Sequence, residues 1–278
     1  HIHLFISRNK VFDKEDVLKE TIIIKFRKTK NTPRSVTITS SKSNNDIGNL
    51  TSLTVPYNLV VSGKDYYVYL VTNEEEVQVL EQLHKFDKTL PDIGVKIKTG
   101  LTVDFRNRDI LRDTEEEGAI PLFYSQHIKQ GKVQFPMKKE HEYVVTDQKG
   151  LMQENRNYLF VKRFTAKEEH RRLQCGVYLA KNYPQYSKIS TQNKINFIDG
   201  LLHEMSECLV YGLYVIFNST LYDEYYRILN GSTQVNSTEI NAMPVPDLES
   251  IQEMGRKLMK SKDLSEKNCN LILEGYCG

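Results

Sequence analysis

The sequence predicts an α/β protein: short strands at the start, a longer mixed β-rich region, and an end made of several helices. Three observations carry this. The opening stretch holds β-branched runs broken by turn residues, and residues 95 to 163 hold short apolar pieces bounded by Gly or Pro. From Asp199 onward apolar residues recur at helical spacing instead. With 278 residues, 39% hydrophobic and 27% charged, the chain can bury one large core or two modest ones and lacks the composition of a disordered segment.

In order along the chain, residues 4 to 61 read as short strands: Thr21 to Arg27, Ser35 to Thr39, and Leu53 to Val61, broken by Pro56. Lys28 to Pro33 is a basic turn, and Ser40 to Asn49 is a polar loop. A domain boundary is expected near residue 62, because the strands before it look like the margin of something incomplete. After a strand at Tyr66 to Val71, Thr72 and Glu75 have capping-box spacing, and Val77, Leu80, Leu83 and Phe86 then predict a helix over 73–87. Strands are expected at Val95 to Lys98, Leu101 to Phe105, Ile120 to Tyr124, Val133 to Phe135 and Tyr158 to Arg163. Thr165 and Glu168 predict a helical turn, and Leu173 to Leu179 alternates as a half-buried strand. Leu202, Met205, Leu209, Leu213 and Ile216 mark the first terminal helix, followed by 221–229, 248–259 and 264–273.

The chemistry that is missing narrows the function. A nucleotide or S-adenosylmethionine pocket usually needs glycines where a strand turns into a helix, and the sequence contains no G-x-G. It also lacks the Asn-Pro-Pro-aromatic or Asp-Pro-Pro-aromatic loop that holds a flipped base in N-methyltransferases, so methyl transfer cannot be completed by this chain alone. There is no G-x-S-x-G, H-E-x-x-H or Walker motif. Glu140 and Glu142 lie beside Lys138 and Lys139, but not in the order of a metal-dependent nuclease site. Neither catalytic nor metal-ligating residues are assigned. Cys175, Cys208, Cys269 and Cys277 are too widely spaced for a zinc site or a disulfide framework, so a reducing, cytoplasmic location is expected. No apolar run approaches a membrane span, and no membrane partner is expected. The chain starts at His1 with neither an initiator Met nor a signal peptide and reads as a piece of a longer protein.

The net charge is only +2, so nucleic-acid binding needs a local basic surface. The densest cationic cluster is Lys162, Arg163, Lys167, Arg171 and Arg172, with Phe164 inside it. Such residues can contact phosphates, and Arg can read guanine. Neutralisation by Glu168 and Glu169 fits the same residues. A second cluster, Asn230 to Asn236, contains Thr233, Gln234 and Asn236. Gln and Asn can bond both the donor and the acceptor edge of adenine, although a turn whose Asn and Ser cap the next element fits equally. A third segment, Lys96 to Arg108, carries Lys98, Arg106 and Arg108 around a Thr99-Gly100 turn, or is an ordinary solvated hairpin.

The order of these segments resembles the C-terminal part of the Eco57I/TaqI-like N6-adenine DNA methyltransferases of bacterial type II and type IIG restriction-modification systems. The matching points are Ser7-Arg8-Asn9-Lys10-Val11-Phe12 with Val17 to Ile23; Lys98 to Arg106; Ile120-Pro121-Leu122; Val161 to Glu169 with Arg171-Arg172-Leu173; Leu213 to Thr220; Thr233-Gln234-Val235-Asn236; and Met243-Pro244-Val245-Pro246. They span almost the whole chain.

The resemblance implies that residues 1–62 are trailing strands of a methyltransferase-type sheet. Residues 63–278 are then a target-recognition domain that grips duplex DNA while the catalytic domain rotates the target adenine out of the stack. The expected DNA-binding residues are Lys98, Arg106, Lys162, Arg163, Lys167, Arg171, Arg172, Thr233, Gln234 and Asn236. The expected partners are double-stranded DNA and an N-terminal methyltransferase domain outside this chain. No cofactor is expected in this chain, with S-adenosylmethionine serving the complete parent enzyme. The alternatives are a stand-alone protein-interaction module built on helices 199–273, or a nuclease with an unrecognised site.

Overall fold

A computed structural model of the chain describes residues 1–7, 11, 21–63 and 66–277. Within the first matching segment, Arg8, Asn9, Lys10, Phe12 and residues 17–20 lie outside these. The chain divides into two compact units, His1–Lys85 with Arg227–Gly231, and Phe86–Tyr226 with Ser232–Gly278.

In the first unit β1 (Ile2–Phe5), β2 (Thr21–Ile24), β3 (Ser35–Ser41) and β4 (Thr51–Pro56) form a mixed sheet in the order β2-β1-β3-β4. β1 runs parallel to β3, and the other two pairings are antiparallel. Ile2, Leu4, Ile38, Leu53 and Val55 are buried, whereas Ile22, Ile23 and Ile24 of the edge strand β2 are exposed. β4 passes through Pro56 into the single turn α1 (Tyr57–Val60), followed by the hairpin of β5 (Val61–Ser62) and β6 (Tyr67–Val68) and by α2 (Glu74–Leu83). Residue 62 therefore sits inside a hairpin, and the division between the units comes at Lys85, after α2. The expected cap at Thr72 is displaced by one residue. Asn73 is the N-cap, accepting from the Glu76 amide at 2.8 Å, while the Glu76 carboxylate reaches back to Thr72.

The second unit begins with β7 (Val95–Thr99), β8 (Leu111–Arg112), β9 (Ile120–Phe123), β10 (Ile128–Lys129), β11 (Lys132–Val133) and β12 (Tyr143–Val144). It continues with β13 (Gln153–Glu154), β14 (Tyr158–Lys162), β15 (Cys175–Tyr178), β16 (Lys188–Thr191) and β17 (Ile195–Gly200). One sheet has the order β10-β11-β15-β14-β17-β7, the other β13-β16-β9-β12-β8. Tyr158 and Phe160 of β14, Tyr178 of β15 and Phe197 of β17 meet Phe123 of β9 and Ile189 of β16 in one aromatic core between the sheets. The Phe123 ring lies 5.5 Å from Phe160 and 5.1 Å from Tyr178. The opposite face of β14 and β15 is covered by α3 (Glu207–Phe217). Burial on both faces explains why β15 is buried throughout, where the sequence predicts an alternating, half-buried strand.

After α3 come α4 (Thr220–Leu229), α5 (Ser237–Asn241), α6 (Leu248–Ser261) and α7 (Glu266–Glu274). The first terminal helix thus starts at Glu207, capped by Ser206, and Leu202 and Met205 precede it. The expected helical turn at Thr165 is a non-helical turn closed by the Glu169 carboxylate on the Ala166 amide at 2.7 Å. The expected strand Leu101 to Phe105 is replaced by a turn with a short 3-10 segment at Asp104–Arg106, while β16 and β17, which no pattern marked, are strands. Among the described residues no helix is long and apolar enough to cross a membrane.

α3 and α6 approach closely through two glycines. A Cβ on Gly212 would lie 1.9 Å from the Ile251 carbonyl oxygen, and one on Gly255 would lie 1.8 Å from that of Cys208. Gly212→Ala or Gly255→Ala is therefore expected to lower stability by about 1–3 kcal/mol or more through overpacking. Gly150→Ala, which meets nothing within 4 Å, should stay within about 0.5 kcal/mol. Urea unfolding of the three variants checks the difference.

A buried His–Glu pair sits beside the aromatic core. The Tyr124 amide donates to Nδ1 of His127 at 2.7 Å, which places the ring proton on Nε2, and Nε2 donates to Glu142 at 2.7 Å. Burial holds His127 below its ordinary value, against the pull of Glu142. Burial alone would raise Glu142, but the bonds from His127 and the Met137 amide outweigh it and hold the carboxyl low. Both groups bind fewer protons folded than unfolded, so their contribution is complete at neutral pH. It is lost first below the ordinary His value of 6.5, then below the ordinary Glu value of 4.5. Unfolding midpoints should fall from pH 7 to pH 4, and His127→Gln should flatten the upper limb of that profile.

Candidate nucleic-acid interface

One end of the six-stranded sheet gathers segments that are far apart in sequence. β7 and β14 end there, and β17, antiparallel to both, begins there. The Gly100 amide donates to the Ile195 carbonyl at 2.8 Å, Thr102 to Thr191 at 2.9 Å, and Asn193 back to Thr102 at 2.8 Å. These bonds hold the turn after β7 against the β16–β17 turn. A Cβ on Gly100 would stand 2.2 Å from the Gln192 carbonyl oxygen, so this approach requires glycine.

At the end of β14 the chain changes partner. The Arg163 amide bonds the Lys194 carbonyl at 3.0 Å, and then Val235 donates to the Arg163 carbonyl at 2.7 Å and Thr165 to that of Thr233 at 3.1 Å. Phe164 and Gln234 form an antiparallel bridge. The basic cluster and the polar loop, some seventy residues apart, therefore form one surface. Asn196, fully buried, donates to the Val235 carbonyl at 2.7 Å and ties the loop to β17. Tyr226 adds a further tie: its hydroxyl accepts from the Asn236 amide at 2.9 Å and lies 3.2 Å from the Gln234 carbonyl. Burial pushes this phenol up, so it remains a donor at neutral pH.

The predicted residues separate into two groups. Arg163 lies in the surface. Its guanidinium donates to the Asn193 carbonyl at 3.0 Å, approaches Gln234 Oε1 at 3.5 Å and stands 5.5 Å from the Phe164 ring centre. Thr233, Gln234 and Asn236 are exposed beside it, and Asn236 also caps α5 by accepting from the Thr238 amide at 2.9 Å. Arg106 is exposed in the turn after β7, with its guanidinium 5.5 Å from the Phe105 ring centre. Lys162 is half-buried and donates to Gln174 at 2.8 Å, and Lys167 is half-buried in the following turn.

Arg172, Arg171 and Lys98 are engaged elsewhere. Arg172 is fully buried, donates to the Ser232 carbonyl at 2.6 Å and to Thr165 Oγ1 at 3.3 Å, and stacks over Tyr226. It cannot face a phosphate in this fold; it anchors the loop that presents Gln234. Arg171 donates to the Phe217 and Ser219 carbonyls at 3.1 and 3.0 Å, at the C-terminal end of α3, and pairs with Glu266 at 2.8 Å. Its counter-ions are Glu266 and, at 3.9 Å, the buried Asp223. Lys98 pairs with the buried carboxylate of Asp199 at 2.9 Å. Sequence reasoning missed Asn193 and the exposed Lys194, whose only local signal is a polar turn between two strands. Among the described residues no group of three His, Cys, Asp or Glu is placed to hold a metal.

No family model matches the chain. It is 34% identical over 266 residues to the type II methyltransferase M.PstI of Providencia stuartii, across 92% of this chain and 52% of that protein. It is 31% identical over 266 residues to the type II methyltransferase M.BsuBI of Bacillus subtilis, across 94% of this chain and 52% of that protein. The chain thus spans about half the length of the curated relatives it matches. Among solved structures it is similar to the type IIG restriction endonuclease BpuSI, with a TM-score of 0.46 at 12% identity over 94% of this chain and 38% of the other. A type I restriction-modification system follows, with a TM-score of 0.36 at 10% identity over 72% of this chain and 49% of the other.

The division between anchoring and exposed cations is testable by stability alone. Arg172→Met leaves the Ser232 carbonyl and Thr165 without their donor and should cost about 1–3 kcal/mol. Lys194→Ala should change stability by less than about 0.5 kcal/mol. Denaturant titration of both variants reads the contrast.

Proposed function

We propose that this chain is the DNA target-recognition part of an adenine-N6 DNA methyltransferase, or of a restriction enzyme fused to one, of the Eco57I/TaqI-like kind. The observation that carries this reading is the joining of Arg163 and Phe164 to Thr233 and Gln234 at one sheet end, with Lys194 beside them. Cations there neutralise phosphates, while Arg and Gln side chains supply the hydrogen bonds that distinguish base edges. The likeness to M.PstI and M.BsuBI along nearly the whole chain supports a restriction-modification role.

On this reading the strands up to residue 62 are trailing strands of the catalytic domain, and the recognition domain lies in the second compact unit, from Phe86 onward. The exposed isoleucines of β2 suit a strand that another part of a longer protein covers. S-adenosylmethionine is held by that other part. In support, the turns into α1 and α2, at Pro56 and Asn73, carry no glycine that would let backbone approach a nucleotide-like ligand. The protein acts on duplex DNA in the bacterial cytoplasm.

In the full-length protein, affinity for a duplex selected from a random-sequence pool should fall steeply between about 50 and 200 mM salt. Lys194→Ala should reduce the slope of log affinity against log salt by about one, and Arg163→Ala should lower affinity. Gln234→Ala should change preference among duplex sequences by roughly 1–3 kcal/mol. Unchanged binding in all three variants removes this surface from the interface, and a full-length protein that binds no duplex overturns the reading.

A further inference from the structure

Two large apolar side chains in this region are left in water. Phe105 is 63% exposed and Phe164 is 44% exposed, each with an arginine guanidinium 5.5 Å from the ring centre. An exposed aromatic ring forgoes burial, and the two are held very differently. Phe105 sits in a turn whose bonds are local, from Arg106 to Val103 and from Asn107 to Asp104. Phe164 lies on a backbone fixed on both sides, by Val235 on Arg163 and by Thr165 on Thr233. The next residue, Thr165, is buried and bonded to the Arg172 carbonyl at 2.9 Å. The ring is therefore presented from a rigid strand extension.

Its surroundings select the partner. The neighbouring side chains are Arg163 and Gln234, with Thr233 and Lys194 in the same bonded segments, so the ring is set among polar and cationic groups. An apolar protein surface would have to desolvate those cations. A nucleobase flanked by phosphates offers both a flat face for the ring and negative charge for the cations.

We propose that Phe164 is the stacking residue of this surface: its ring packs against the face of a base that leaves the duplex stack on binding, while Arg163 engages the adjacent backbone or base edge. This rests on the DNA-binding reading and adds a role for one side chain. Aromatic wedges of this kind stabilise unstacked steps in deformed duplexes.

The test uses the full-length protein and duplexes recovered from a random-sequence pool, with 2-aminopurine placed at each position in turn. Wild type should raise 2-aminopurine emission at a second position, besides the adenine that the catalytic domain rotates out, marking the base that leaves the stack at Phe164. Phe164→Ala should abolish that rise and weaken binding roughly 5- to 150-fold, the range of one lost base–aromatic stack. Phe164→Tyr should keep both properties. Phe164→Leu, which retains apolar bulk without a flat ring, should lose the emission change, so the Tyr–Leu contrast still reports stacking if the Ala variant is unstable. Wild-type binding with unchanged emission and affinity in Phe164→Ala and Phe164→Leu overturns the stacking role and leaves the DNA-binding reading intact. Absence of any duplex binding by wild type overturns both.

Discussion

The backbone pairing of residues 163–165 with 233–235 is the contact on which the candidate interface depends. β14 is a central strand, covered on both faces, and its extension past Lys162 would otherwise end in a free loop. Two backbone bonds, from Val235 to Arg163 and from Thr165 to Thr233, convert that extension into a platform. Arg172 and Asn196 then secure the added segment from below, by bonding the carbonyls of Ser232 and Val235. A backbone group buried without a partner is costly, so these ties specify one position for the loop.

Behind the platform lies a layered body that gives it rigidity. The aromatic core between the sheets fills one side of β14, and α3 covers the other. Glycines at 212 and 255 bring α3 and α6 together backbone to backbone. Sites that discriminate among similar partners benefit from such support, because a loose side chain loses its geometric preference. The cations divide along the same line. Arg171 and Arg172 satisfy helix-end and loop carbonyls inside the body, and Arg163 and Lys194 stay near solvent, where their charge is available to a polyanion.

Much of the body was legible in the sequence. β7, β9, β14, α6 and α7 follow from apolar spacing and turn residues, and α2 follows from its cap to within one residue. β17 was not legible, since Ile195–Gly200 is buried throughout and shows no alternation. Leu101 to Phe105 has the composition of a strand, but only Thr102 bridges to Gln192 before the chain turns. For the site, the sequence identified the two clusters without showing that they meet. Local pattern carries no information about a contact between Arg163 and Gln234. Nor does a run of arginines reveal which side chain points inward: Arg171 and Arg172 read like Arg163 until Asp223 is seen to accept the backbone amides of Arg172 and Leu173 and turn that segment into the interior.

The proposed function requires the sheet end to be the face that meets DNA. Hydrogen exchange of the full-length protein, with and without its selected duplex, tests this most directly. Exchange should slow in residues 99–106, 163–165, 192–195 and 232–236 on adding duplex, with little change along α6 and α7. Protection along α6 and α7, with the sheet end unaffected, would contradict it.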